Sequence, residues 1–210
     1  MNNIKENYQI KMEHIIANIP QNSVPKLMLQ ACCAPCSSYV LEILSNYFQI
    51  TIVYYNPNIY PYEEYIKRLD EVKKLIKLIK SRYPIDILEV EYDKAAFDDI
   101  SKGLEFEPEG GARCHKCYYL RMEKVALLAK KNNYDYFTTT LSISPYKNAE
   151  VLNNIGAFLE NKYNIKYLYA DFKKKEGYKR SIELSKKYNL YRQEYCGCEF
   201  SIQKKEETIS

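Results

Sequence analysis

The chain has 210 residues, 46% of them hydrophobic, which suits one domain with a buried core and excludes a largely disordered chain. Its net charge of +4 permits an anionic partner without demanding one. No uncharged run approaches membrane-spanning length, and the N-terminus lacks the basic-then-apolar pattern of a secretory signal. A cytoplasmic protein with no membrane partner is therefore expected, in which seven cysteines point to metal or redox chemistry rather than structural disulfides.

In chain order, residues 4–19 read as an amphipathic helix stopped by Pro20, and 26–31 as a buried strand. A helix over 37–47 and a strand over 49–55 follow, closed by the Pro-rich turn 56–61. The long helix 63–81 places Ile66, Leu69, Val72, Leu75, Ile76 and Ile79 on one face. A strand over 85–90 and a short helix over 95–101 lead into a loop at 104–113. Helix 117–131, strand 134–138, helix 148–163, strand 166–169 and helix 175–188 complete the pattern, with a tail beyond. Such alternation predicts an α/β fold: a doubly wound sheet of about five parallel strands with helices on both faces. The expected organisation is an N-terminal helical extension (1–25), a single α/β catalytic domain (26–201) and a polar tail (202–210).

Parallel sheets bind ligands beyond the carboxyl ends of their strands. The polar clusters fall there: Cys32 and Cys33 after the first strand, Asn56 and Asn58 after the second, Tyr92 and Asp93 after the third, Thr138–Ser142 after the fourth, and Asp171 after the fifth. Cys32, Cys33 and Cys36 lie where a strand passes into a helix, a position that favours thiolate. Cys114-His115-Lys116-Cys117 is a C-x-x-C at a helix start, so its thiols share one face. An adjacent Cys-Cys pair chelates one small ion poorly and suits different irons of a larger cluster, which favours an iron–sulfur cluster over structural zinc. Cys196-Gly197-Cys198 is too close a pair for an ordinary bridge. It is either a redox-active dithiol or a ligand pair for a second metal, with Cys36 available to complete it.

Six ordered motifs resemble one family. They are Ala31-Cys32-Cys33-Ala34-Pro35-Cys36, Tyr55-Asn56-Pro57-Asn58-Ile59, Pro108-Glu109-Gly110-Gly111-Ala112-Arg113-Cys114, Thr138-Thr139-Thr140-Leu141, Ser144-Pro145-Tyr146-Lys147-Asn148 and Tyr191-Arg192-Gln193-Glu194-Tyr195-Cys196-Gly197-Cys198. Together they are similar to the cobalamin-independent epoxyqueuosine reductases (QueH). The resemblance implies a Rossmann-like, HUP-type sheet, although the first turn lacks the Ser-Gly-Gly phosphate loop of ATP pyrophosphatases. It implies reduction of the epoxide of epoxyqueuosine at the wobble position of tRNA to the alkene of queuosine, the last step of that modification. It also implies a 4Fe–4S cluster on Cys32, Cys33, Cys114 and Cys117. Cys196 and Cys198 would take a redox role, as a disulfide pair or as ligands to one additional iron, fed by an electron donor that the sequence does not name.

Within that expectation, Asp171, Glu107, Tyr146 and Lys147 are candidates for the proton donor or for polar contacts to the substrate. Asp171 has the plain alternative of capping the next helix, and Lys147 of being a solvated loop lysine. Glu64 and Arg68 are further substrate candidates, though carboxylates favour the first turn of a helix anyway. Asn56 and Asn58 equally suit a Pro-rich turn. Arg113, Thr139, Ser144, Tyr191, Arg192 and Gln193 join the substrate set through the shared motifs. Rival readings are another iron–sulfur or thiol oxidoreductase, and a zinc-stabilised RNA-binding module without catalysis.

Overall fold

The computed structural model describes residues 6–202. Its elements are α1 (Tyr8–Ala17), β1 (Lys26–Gln30), α2 (Ala34–Leu44), β2 (Gln49–Tyr54), α3 (Tyr62–Leu78), β3 (Ile85–Glu89), α4 (Lys94–Ser101) and α5 (Ala112–Lys131). β4 (Tyr136–Thr139), α6 (Ala149–Tyr163), β5 (Lys166–Tyr167) and α7 (Gly177–Lys187) follow. The five strands form one parallel sheet in the order β3-β2-β1-β4-β5. The order reverses direction between β1 and β4, which opens a crevice at their carboxyl ends.

Strand alternation divides the core between the faces. Leu27 and Leu29 of β1 and Ile50, Ile52 and Tyr54 of β2 pack with Val40, Leu41, Val72, Leu75 and Leu184 from α2, α3 and α7. Met28 and Val53 point the other way, onto Met122, Val125 and Leu159 of α5 and α6. Met12 of α1 belongs to the first of these clusters and is almost fully buried. Asn7 caps α1 by accepting from the N–H groups of Gln9 and Ile10; the expected start at residue 4 lies outside the described residues, as do 203–210 of the tail.

Several boundaries differ from expectation, each for a local reason. α2 begins at Ala34 rather than 37, because Pro35 sits in the first turn, where its missing N–H and fixed φ cost nothing. α5 begins at Ala112 rather than 117, directly after Gly111. Cys36, Cys114 and Cys117 are therefore helical residues. α3 ends at Leu78 rather than 81, its C-cap Ile79 being extended (ψ 134°). β4 continues to Thr139 and then tightens into a 3-10 turn, Thr140–Ile143, with the Thr139 side chain accepting from the Leu141 N–H. β5, at the sheet edge, keeps only two residues.

Candidate active site

The cysteine turn is built by its neighbours. Cys33 is the N-cap of α2 in an extended conformation, and its carbonyl accepts from the Ser37 N–H (3.1 Å) and hydroxyl (2.8 Å). Beneath it lies a buried polar chain that ties the carboxyl ends of three strands to α5. Thr139 Oγ1 donates to Gln30 Oε1 (2.9 Å), and Gln30 Nε2 donates to Asn56 Oδ1 (3.1 Å). Asn56 Nδ2 in turn donates to the Ala31 carbonyl (2.9 Å), while Arg121 Nη2 donates to Asn56 Oδ1 (2.7 Å). Buried polar groups need such partners, so these side chains hold the turn in place.

Cys32, Cys33 and Cys36 have their sulfurs within 4.8 Å of one another, Cys32 and Cys33 being 3.7 Å apart. From α5, Arg121 reaches back one turn to Cys117 Sγ (4.0 Å). Cys114 Sγ accepts from the Gly110 N–H (3.3 Å). The C-terminal segment brings Cys198 beside Cys117 and Phe97 in a small apolar cluster. Cys196 joins Cys32 and Cys36 in lining a cavity of about 230 Å³. All seven cysteines are free thiols.

Their environments divide the thiols into two states. Hydrogen bonding from Cys33 and Cys36 holds Cys32 well below the ordinary thiol value of 9.0. The same pairing pushes Cys33 up to about 12 and Cys36 well above its usual value. At the other pair, hydrogen bonding from Cys198 holds Cys196 well down, aided by Lys147 and Arg121, and Cys198 rises in consequence. Burial pushes Cys117 up to about 11 and also raises Cys114. Burial alone would lower Lys147, but Cys196, Tyr118, Cys32 and Cys36 outweigh it, so the ammonium stays protonated.

Of the candidates read from the sequence, Cys32, Cys36, Ser144, Tyr146, Lys147, Arg192, Gln193 and Cys196 line the cavity. Tyr146 stands at its edge, 77% exposed. Other candidates are engaged elsewhere. Glu107 accepts from the Ala112 N–H (2.9 Å) at the start of α5. Arg113 donates to the carbonyls of Leu104 (2.6 Å) and Glu105 (2.9 Å) and lies over the Phe200 ring. Asp171 pairs with Lys173 (3.1 Å), which donates to the carbonyls of Ser142 and Lys147; it does not cap α7. Asn58 is buried off the cavity, Thr139 and Asn56 belong to the polar chain, and Glu64, Arg68 and Tyr191 form a group of their own. Arg121, Glu109, Tyr178 and Ser181 line the cavity without having been singled out. For Arg121 a signal was present, since it lies four residues after Cys117 on the same helix face.

The epoxyqueuosine reductase QueH family model matches residues 27–204. An epoxyqueuosine reductase QueH of Staphylococcus epidermidis is 43% identical over 97% of this chain and 88% of its own length. One of Streptococcus pyogenes is 39% identical over 95% of this chain and 79% of its own. One of Thermotoga maritima is 33% identical over 86% of this chain and 92% of its own. No helix among the described residues is long and apolar enough to cross a membrane. With the parallel sheet, the thiol-lined crevice and these matches over nearly all its length, the chain belongs to the epoxyqueuosine reductase QueH family.

Proposed function

We propose that this chain reduces the epoxide of epoxyqueuosine in tRNA to the alkene of queuosine. The overall change takes two electrons and two protons and releases the epoxide oxygen as water. The observation that carries this reading is one cavity shared by thiols of separate motifs (Cys32, Cys36, Cys196) and by cations (Arg121, Lys147) at the sheet's reversal point. At about 230 Å³ the cavity has room for part of one extruded base and none for a duplex. Exposed Tyr146 at the edge offers a stacking face for a neighbouring base.

An iron–sulfur cluster would be held by Cys32 and Cys33 from the turn with Cys114 and Cys117 from one face of α5, and cationic Arg121 would offset thiolate charge; the sulfurs grouped within 4.8 Å are those of Cys32, Cys33 and Cys36. When bound, the cluster supplies electrons one at a time. Oxidised from dithiol to disulfide, Cys196 and Cys198 would supply two electrons and two protons, or they would hold one additional iron. Lys147 is held firmly protonated in the cavity, so its ammonium is assigned to stabilise the departing oxygen by charge and hydrogen bonding. Lys147→Gln removes that charge and Lys147→Arg keeps it. Lys147→Gln is expected to lose turnover about 10²-fold or more and Lys147→Arg less, whereas full activity in Lys147→Gln would reject the role. The cytosol, where free thiols persist and tRNA resides, is the compartment this reading requires.

The spacing within Cys32, Cys33 and Cys36 supports a second reading. Thiolates around one tetrahedral ion lie ~3.8 Å apart for metal–sulfur bonds of ~2.3 Å, close to the 3.7 Å between Cys32 and Cys33. A colourless anaerobic preparation with stoichiometric zinc would favour that reading. A brown one with equal iron and acid-labile sulfide supports the cluster.

A further inference from the structure

Glu64, Arg68, Glu71 and Lys74 are spaced four, three and three residues apart along α3, and so lie on one face of it. Each is bonded to the segment that carries the last two cysteines. Lys74 Nζ donates to the Asn189 carbonyl (2.6 Å), and the Tyr191 N–H donates to Glu71 Oε2 (2.9 Å). The Tyr191 hydroxyl donates to the Glu64 carboxylate (3.2 Å), and Arg68 Nη1 donates to the Cys196 carbonyl (3.0 Å). Glu64 orients Arg68 through an ion pair of 2.7 Å, with the Arg68 side chain 1% exposed. The Tyr195 ring lies 5.1 Å from the guanidinium, and the Tyr60 N–H donates to the Gly197 carbonyl (2.8 Å).

Gly197 adds an independent constraint. Its φ of +113° disfavours any side chain, and a Cβ there would stand 2.8 Å from Arg68 Nη1. The peptide between the two cysteines is thus fitted to the guanidinium. None of Glu64, Arg68 and Tyr191 lines the cavity, whereas Cys196 does.

We propose that this stripe on α3 is a docking track for residues 189–198, and that Arg68 is a positioning residue that seats Cys196 against the cysteine turn. Its guanidinium contacts the backbone of the C-terminal pair rather than substrate. The proposal rests on the geometry of the segment and not on the identity of the reaction.

Amide hydrogen exchange on the full-length chain, isolated anaerobically, tests it without any turnover. A charge-assisted hydrogen bond to a buried arginine is expected to protect its segment about ten- to a hundredfold. Arg68→Met should therefore raise exchange across 189–198 by that factor and leave the sheet unchanged, and Gly197→Ala should do the same. Because Arg68→Met leaves Glu64 buried without its ion-pair partner, the double variant Arg68→Met/Glu64→Gln and the surface variant Lys74→Met keep the test available if the single variant fails to fold. Lys74→Met should loosen residues 189–191 by a few-fold only. In turnover, Arg68→Lys and Arg68→Met should lower kcat with KM for the RNA unchanged. Exchange across 189–198 within about twofold of the parent in the double variant would overturn the proposal. So would a raised KM with the segment still protected, which would make Arg68 a substrate contact.

Discussion

At the scale of single residues, protons are shared unevenly among the thiols. Cys33 and Cys36 hydrogen-bond to Cys32, and Cys198 to Cys196, so each group holds one thiol low at the expense of its neighbours. A thiol whose value is lowered stays ionised as the pH falls below the ordinary 9.0. Alkylation of Cys196 in the metal-free, reduced chain should therefore stay nearly flat from pH 9 down to neutrality, whereas an ordinary thiol slows by about tenfold per pH unit. Cys117, pushed up to about 11 by burial, should remain unlabelled throughout. Peptide mapping of the alkylated chain reads both. A tenfold fall per unit at Cys196 would contradict the assigned state.

The seven thiols and the cavity-lining motif residues were legible in the sequence because their chemistry is carried by residue type. Whether a polar residue faces the ligand or the scaffold was not legible. Asn56 and Thr139 sit at the expected strand ends, yet their side chains turn into the chain of bonds that supports the turn. Arg68 was a substrate candidate near a helix start, and its guanidinium donates to the Cys196 carbonyl, a contact set by the path of residues 189–198 that the sequence does not show.

At the scale of elements, apolar runs were sufficient to place all five strands, most closely the central β1 and β2, which are buried along most of their length, whereas edge strand β5 keeps only two of the expected residues. Helix starts were harder to read. Pro35 and Gly111 look like turn residues in sequence, but one occupies a first helical turn and the other an N-cap. The consequence for α5 is chemical, because its early start puts Cys114, Cys117 and Arg121 on one helix face. Cys117→Ala should accordingly prevent cluster assembly, seen as loss of iron and of visible absorption; full iron content would remove Cys117 from the ligand set. The same helix is tied to α6 through Glu123, which accepts from Lys162 (2.8 Å), Tyr163 (2.6 Å) and Tyr119 (2.8 Å). Burial raises Glu123, but those three donors outweigh it and its value lies below the ordinary 4.5. A lowered carboxylate stabilises the fold above its unfolded value and loses that contribution as the pH falls through the folded one. Glu123→Gln should cost about 1 kcal/mol at neutral pH, with solvent screening included, and nothing once the pH drops below the folded value. Urea unfolding at several pH values checks it, and a cost independent of pH would refute the linkage.

At the scale of the whole molecule, the sheet order brings together residues far apart in the chain. The turn after β1 and the loop after β4 meet at the reversal point, α5 closes one side, and residues 189–198 lie across the crevice along α3. Two sets of thiols with separate supports result, one on β1 and α5 and one on the C-terminal segment. The account's central claim is that both sets are needed to reduce the epoxide and that only the first holds the cluster. The direct measurement is anaerobic single turnover with epoxyqueuosine-bearing tRNA and a chemical reductant, comparing the parent chain with Cys196→Ala. Visible spectra are recorded on the same samples. The parent should convert the wobble nucleoside to the species lacking one oxygen atom, and Cys196→Ala should keep the cluster spectrum while forming no product. Failure of the loaded parent to remove that oxygen, normal product from Cys196→Ala, or loss of the cluster in that variant would contradict the account.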